Sequence, residues 1–176
     1  MSPARATSWR DLPVWYETDL LIVADARGEL PAHPRGKRFP RRPAGSRIEH
    51  VFLHHTAGHI EPGLAGILAT HRFCQHLKDW QYLVRGARGG WREVSRELYR
   101  SAPRRRRRKC NIGGRDWAGV PYHFWVPWLV EVDERGRMVV YLLNDPREAW
   151  TWHTGGKDDA GRSNNLFWVS VVMQGK

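Results

Sequence analysis

FWVSVVM, residues 167–173, is the stretch whose reading decides the fold. Serine alone interrupts an otherwise apolar run. A half-exposed strand alternates apolar and polar side chains, whereas a continuous run marks an interior strand covered on both faces of a parallel or mixed sheet. Working outward, Ile48–His54 (IEHVFLH) predicts a compact, buried strand with a histidine at its end, closed by Thr56-Ala57-Gly58. Tyr122–Val132 is rich in aromatic and β-branched residues and predicts another strand. Arg137–Leu143 predicts a further one, joined to it by the turn residues Asp133–Gly136. Leu20–Ala24 predicts a short strand near the start, turned by Ala26-Arg27-Gly28.

Two stretches follow helical spacing instead. From Pro62 to about Trp80, Leu64, Ile67, Leu68, His71, Cys74, Gln75 and Leu77 recur on one face, and proline suits a helix start. Trp91–Tyr99 predicts a second, short helix, with Val94 and Leu98 four residues apart. Strands interleaved with helices predict an α/β domain, a mixed central sheet flanked by helices.

A chain of 176 residues has room for one ordinary core. Residues 1–47 read as an N-terminal segment, in which Pro31–Gly45 (PAHPRGKRFPRRPAG) forms a basic linker or extended arm. Residues 48–176 read as the domain itself, with a basic insertion at about 100–116. There Arg104–Lys109 sets six cations in a row, which predicts a solvated loop.

Composition narrows the class. With 41% hydrophobic and 27% charged residues the chain reads as globular and not disordered. No stretch approaches the roughly 20 apolar residues of a membrane span. MSPARATSWRDLP lacks the apolar region of a signal peptide, which leaves cytoplasmic residence or release to a cell wall by another route. Lys and Arg number 29 against 18 Asp and Glu, a net charge of +11, so partners among polyanions are expected: nucleic acid, anionic lipid or an acidic wall. Two cysteines make no disulfide framework. Ten Trp suit core and rim packing as well as grooves that hold sugars or peptides.

Four local patterns then occur in order. They are Val51–Gly58 (VFLHHTAG), Gly119–Phe124 (GVPYHF), Trp152–Gly156 (WHTGG) and Asn164–Gly175 (NNLFWVSVVMQG). Alone, each suits a structural role: a hydrogen-bonded histidine, strand packing, a turn with a stacked ring. As an ordered set they resemble the zinc-dependent N-acetylmuramoyl-L-alanine amidases. That family includes phage lysozyme-type amidases, bacterial cytoplasmic anhydro-muropeptide amidases and animal peptidoglycan recognition proteins. The likeness runs from about Ile48 to Gly175, with a long departure between Leu77 and Gly119.

The resemblance implies an amidase-like sheet and hydrolysis of the amide between N-acetylmuramic acid and L-alanine of peptidoglycan or muropeptides. It implies Zn2+, with His54 as a metal ligand. His55 takes the next position, which varies between branches and carries no role over. Tyr122 matches the tyrosine beside the zinc-bound water, and is the catalytic candidate. His153 matches the histidine of a segment lining the substrate cleft, and Trp152 and Asn165 are placed there with it. The cytoplasmic branch has a catalytic glutamate where this chain has Val172, so the likeness is to the tyrosine type. Zinc lowers the pKa of bound water to about 7, and a phenol could steady the oxyanion. His153 could shuttle a proton, since imidazole titrates nearest neutrality.

The same family places its second and third ligands, and a covering helix, after the fourth pattern. The chain ends at Lys176, so a domain lacking its C-terminal part, poor in zinc and in amidase activity as it stands, is expected. Substitute ligands within the chain would be His71, Cys74 and His76 on the first helix, where a buried cysteine and surface histidines are the plainer reading. Cys110, beside the cations, would tend toward thiolate. Two rival functions stand beside the enzyme: a non-catalytic peptidoglycan-binding module, and a nucleic-acid-binding protein using Arg104–Lys109. In the enzyme, the same run would hold anionic wall polymers.

Overall fold

The computed structural model describes residues 6–56, 61–127, 131–151, 157, 161, 163, 165 and 168–174. Its main element is a six-stranded mixed sheet. In chain order the strands are β1 (Val14–Glu17), β2 (Leu21–Asp25), β3 (His50–Thr56), β7 (Phe124–Val126), β8 (Met138–Leu142) and β9 (Trp168–Gln174). Across the sheet the order is β1-β2-β8-β7-β9-β3. β9 runs parallel to both of its neighbours, β7 and β3, while β7 and β8 are antiparallel.

Helix α1 (Gly63–Gln75) covers one face. Leu64, Ile67, His71 and Cys74 recur at three- and four-residue intervals and are all buried. They meet a row that crosses the sheet in register: Ala24 opposite Tyr141, Tyr141 opposite Trp125, Trp125 opposite Val172. These side chains, with Val120, Val139 and Leu143, form the core. The mixed sheet and helix of the sequence reading are thus present.

β9 is an interior strand, as the FWVSVVM run predicts, but its two faces differ. Val172 is fully buried beneath α1, and Val169 is buried on the other side. Farther along that second face Met173 is exposed, beside Val51 and Leu53 of β3, which are 64% and 62% exposed. β3 is therefore an edge strand open on one face, and not the buried strand its apolar residues suggested.

Other boundaries shift for local reasons. Of the expected strand Tyr122–Val132, Phe124–Val126 form β7, which stops before Pro127 for want of an N–H to donate to the ladder; residues 128–130 lie outside the described residues, and Val132 bridges to Met138. The expected helix to Trp80 stops at Gln75. Segment 114–117 folds back there, and the Asp116 and Trp117 N–H groups donate to the carbonyls of His76 and Cys74. Gly114 is required for that approach: its φ is +57°, and a Cβ would lie 2.2 Å from the His76 carbonyl oxygen. The N-terminal segment is not all linker, since β1 and β2 belong to the main sheet and Leu12, Ala24 and Ala26 to its core. The basic arm is tied down as well. Arg42 is buried, its guanidinium donating to the carbonyls of Pro146 and Trp168.

Between α1 and β7 lies a second, antiparallel sheet, ordered β5-β4-β6: β4 (Asp79–Arg85), β5 (Trp91–Glu93) and β6 (Arg107–Gly113). The helix expected over Trp91–Tyr99 is here β5 followed by α2 (Arg96–Ser101), capped by the Ser95 hydroxyl. The cation run is not a loop either. Arg104–Arg106 form a single 3-10 turn, and Arg107, Arg108 and Lys109 start β6. A strand accepts them because successive side chains leave on opposite faces and their charged ends stay in water. Among the described residues no helix is long and apolar enough to cross a membrane.

Truncation of Ile67, fully buried under the sheet, is expected to cost about 2–5 kcal/mol in urea denaturation. Leu98→Ala, at a mostly exposed site of α2, should stay within about 0.5 kcal/mol. Equal effects would contradict the placement of the core.

Candidate functional site

β3 and β9 pair so that His50, Phe52 and His54 share a face with Trp168, Ser170 and Val172. Residue 122 stands two positions before β7, and its ring reaches the same place: the His54 and Tyr122 rings lie 4.9 Å apart, centre to centre. The two residues are 68 positions apart in the chain. The sequence reading assigned both to one site, and the sheet brings them together.

They end a longer row. Phe52 lies 4.4 Å from His54, Trp168 stacks on Phe52 at 5.1 Å, and His50 meets Trp168 edge-on at 5.6 Å. Phe52, His54, Tyr122 and Trp168 are half-buried, and His50 is exposed. Five rings thus form a continuous wall along the sheet edge, its Tyr122 end packed against the core beneath α1. Sequence reasoning missed Phe52 and Trp168 as site residues. The signal was present in period two: Phe52 and His54 share a face of one strand, and Trp168 stands beside them on the next.

Burial sets the protonation of both candidate groups. It holds the His54 imidazole below its ordinary value, hence neutral at pH 7. It raises the Tyr122 phenol, with the nearby Cys74 thiol adding to the effect, so the hydroxyl keeps its proton and remains a donor. A neutral imidazole beside a protonated phenol can bind a cation or accept a proton on one side and hydrogen-bond a developing oxyanion on the other.

The other candidates divide. His153 and Trp152 lie outside the described residues. Asn165 is only 4% exposed, and its amide donates to the Ser163 hydroxyl. His71 has a structural post. Its Nδ1 accepts from the Val120 N–H, so its Nε2–H donates to the Pro31 carbonyl, 3.1 Å away. Gly119 lies against the ring so closely that a Cβ would sit 2.2 Å from it. His123, between Tyr122 and β7, is fully buried. Ser170 N–H donates to its Nδ1, and its Nε2–H faces the Ala149 carbonyl. His71 and Cys74, three apart on one face of α1, are both buried, against the expectation of a surface histidine at 71, while His76 is exposed. Among the described residues, no three His, Cys, Asp or Glu side chains converge.

Comparison with known proteins adds no relative: no protein-family profile, no curated protein and no solved structure matches the chain. The site therefore stands on its own geometry.

Two outcomes follow. The Cys74 thiol, pushed up to about 11 by burial, should resist iodoacetamide at pH 8 in the native protein while Cys110 is labelled; early labelling of Cys74 would refute its burial. His71 is held below its ordinary value, mainly by desolvation. The folded state then binds fewer protons than the unfolded chain, so its contribution is complete above about pH 6.5 and falls away as the solution becomes more acid. His71→Gln should remove up to about 1.4 kcal/mol per pH unit from the acid slope of stability, measured by denaturant titration between pH 7 and pH 5. Parallel slopes for parent and variant would exclude this role.

Proposed function

We propose that this protein is a peptidoglycan amidase. It hydrolyses the bond between N-acetylmuramic acid and the L-alanine of the stem peptide, with the site at the β3–β9 edge. The observation that carries the reading is the contact between His54 and Tyr122 on that edge. Two patterns far apart in the chain, each resembling a segment of the zinc amidases, meet at that edge. The aromatic wall supports the substrate class, because the apolar faces of sugar rings pack on half-exposed Phe and Trp while peptide polar groups remain free for hydrogen bonds.

Zinc belongs to this reading, and the described residues do not fit it alone. His54 is one imidazole, whereas a catalytic zinc takes three protein ligands and one open position. No step is derived through the metal. What the described residues supply is narrower: His54 offers a neutral nitrogen at the reacting bond, and the Tyr122 hydroxyl donates to the oxygen of the amide as it gains charge. Phe52 and Trp168 hold the sugar. Trp152, His153 and Asn165 remain the substrate-binding candidates that the resemblance supplies.

The wall of rings by itself would equally serve a module that binds peptidoglycan without cutting it. Incubation of the protein and zinc with purified peptidoglycan separates the two. Release of peptides with a free N-terminal L-alanine is expected, abolished by His54→Ala and lowered about 10²–10³-fold by Tyr122→Phe, the range for loss of one oxyanion donor. Release of reducing sugar or cleavage within the stem would replace the assigned bond. Muramyl-peptide binding without any release would replace the enzyme with the binding module.

A further inference from the structure

The charge of this protein is concentrated in its second sheet. Residues 77–115 carry thirteen Lys and Arg against three Asp and Glu, ten of the eleven net positive charges; the rest of the chain holds sixteen against fifteen. These residues build one lobe, the β5-β4-β6 sheet with α2 packed on β4. Twelve of the thirteen cations are exposed. Among the described residues, every ion pair lies outside the lobe. One of its three carboxylates, Glu93, accepts from the Gln81 amide. So many uncompensated charges repel one another, and a bound polyanion removes that repulsion.

Eleven of the thirteen are arginine. The planar guanidinium binds two phosphate oxygens at once and keeps its charge in any environment, so the lobe suits phosphates more than isolated carboxylates. The lobe's rings then distinguish among phosphate polymers. Lys109 Nζ lies 3.7 Å from the Trp80 ring centre and 5.6 Å from that of Tyr82. Lys78 approaches Trp80 at 5.9 Å, and the Arg107 guanidinium lies 5.5 Å from the Tyr99 ring. Tyr82 and Tyr99 also face each other. Single-stranded nucleic acids are held by successive bases stacked on several open aromatic faces; here the protein's own groups occupy Trp80, Tyr82 and Tyr99, which leaves Trp91 as the one exposed ring of the lobe. The six-residue α2 is too short to act as a groove-reading helix of the usual kind.

We propose that this lobe is a docking surface for a linear polyol-phosphate polymer of the cell envelope, gripped through its phosphates by the Arg104–Arg106 turn and by Arg85 and Arg108, which leave the sheet on one face. The choice of an envelope polymer rests on the peptidoglycan reading; the charge and the occupied rings stand without it.

The test uses the full chain. Its binding to purified poly(glycerol phosphate) is followed from about 50 to about 200 mM salt, beside random single- and double-stranded DNA at equal phosphate. The polymer should bind more tightly than either DNA, with steep salt dependence. R104S/R105S/R106S/R108S should weaken it about tenfold or more and flatten the salt slope by about one for each phosphate no longer held. R38S/R41S/R47S, which removes three charges outside the lobe, should bind as the parent does. Melting curves check that both variants are folded. Tighter binding to either DNA, or equal losses from both variants, would overturn the proposal. Peptide release is measured in parallel on wall stripped of its phosphate polymer. Polymer binding without release there refutes the amidase reading alone, and release without polymer binding refutes this proposal alone.

Discussion

The register between β9 and its two parallel neighbours is the constraint on which everything else depends. Side chains alternate across a sheet with period two, so a slip of one residue exchanges the faces. With β3 slipped by one against β9, Val51 and Leu53 would join Trp168 and His54 would turn away from Tyr122. On the β7 side the register is fixed by polar groups sealed inside the sheet. Ser170 donates its backbone N–H to His123 Nδ1, its hydroxyl lies 2.9 Å from the same nitrogen, and the Thr151 hydroxyl approaches at 3.2 Å. Breaking such a buried set strands its members without water, at about 1–3 kcal/mol for each unsatisfied group. One polar cluster therefore holds β7 against β9, and the β3–β9 ladder brings His54 to Tyr122.

This arrangement explains why some of the fold was legible in the sequence and some was not. FWVSVVM, Arg137–Leu143 and the Leu64–Cys74 spacing announce β9, β8 and α1 because burial dictates their pattern directly. β3 carries equally apolar residues but stands at an edge, and nothing local distinguishes an apolar edge from an interior strand. Val94 and Leu98 are four apart, yet Ser95 between them caps a new helix instead of continuing one. Charge density alone predicts a loop for the six cations; pairing with β4, distant in sequence, makes a strand of the last three, Arg107–Lys109. The pairing of His54 with Tyr122 was legible through the order of motifs and by no spacing rule. Phe52 and Trp168 became visible as neighbours only after the strand pairing was known.

The charge distribution divides the chain into two bodies with different physics. The main sheet and its helix carry nearly balanced charge and hold together by apolar burial, Ile67, Trp125 and Val172 among the fully buried contributors. The cationic lobe has few apolar contacts of its own, and its exposed Trp91 and Ile112 add little cover. Its aromatic side chains are instead drawn into contact with cations. A cation over a ring is worth about 0.5–1 kcal/mol where water still reaches it and more where it does not. The pairings of Lys109 with Trp80 and of Arg107 with Tyr99 thus do two things together: they tie β6 to β4 and α2, and they fix charges that would otherwise repel one another into open water.

That division bears on how a single chain can address two ligands. Electrostatic attraction between exposed charges is screened within about 8–10 Å at physiological salt. The hold of the cationic lobe on a polymer therefore weakens as salt rises. The state of His54 and Tyr122 is set instead by burial at the sheet edge, an influence that salt hardly alters. Attraction in the lobe and chemistry at the edge consequently answer to different variables, ionic strength for one and pH for the other. The insertion between α1 and β7 could in this way add a hold on a second polymer without disturbing the row of rings that the β3–β9 register sets in place.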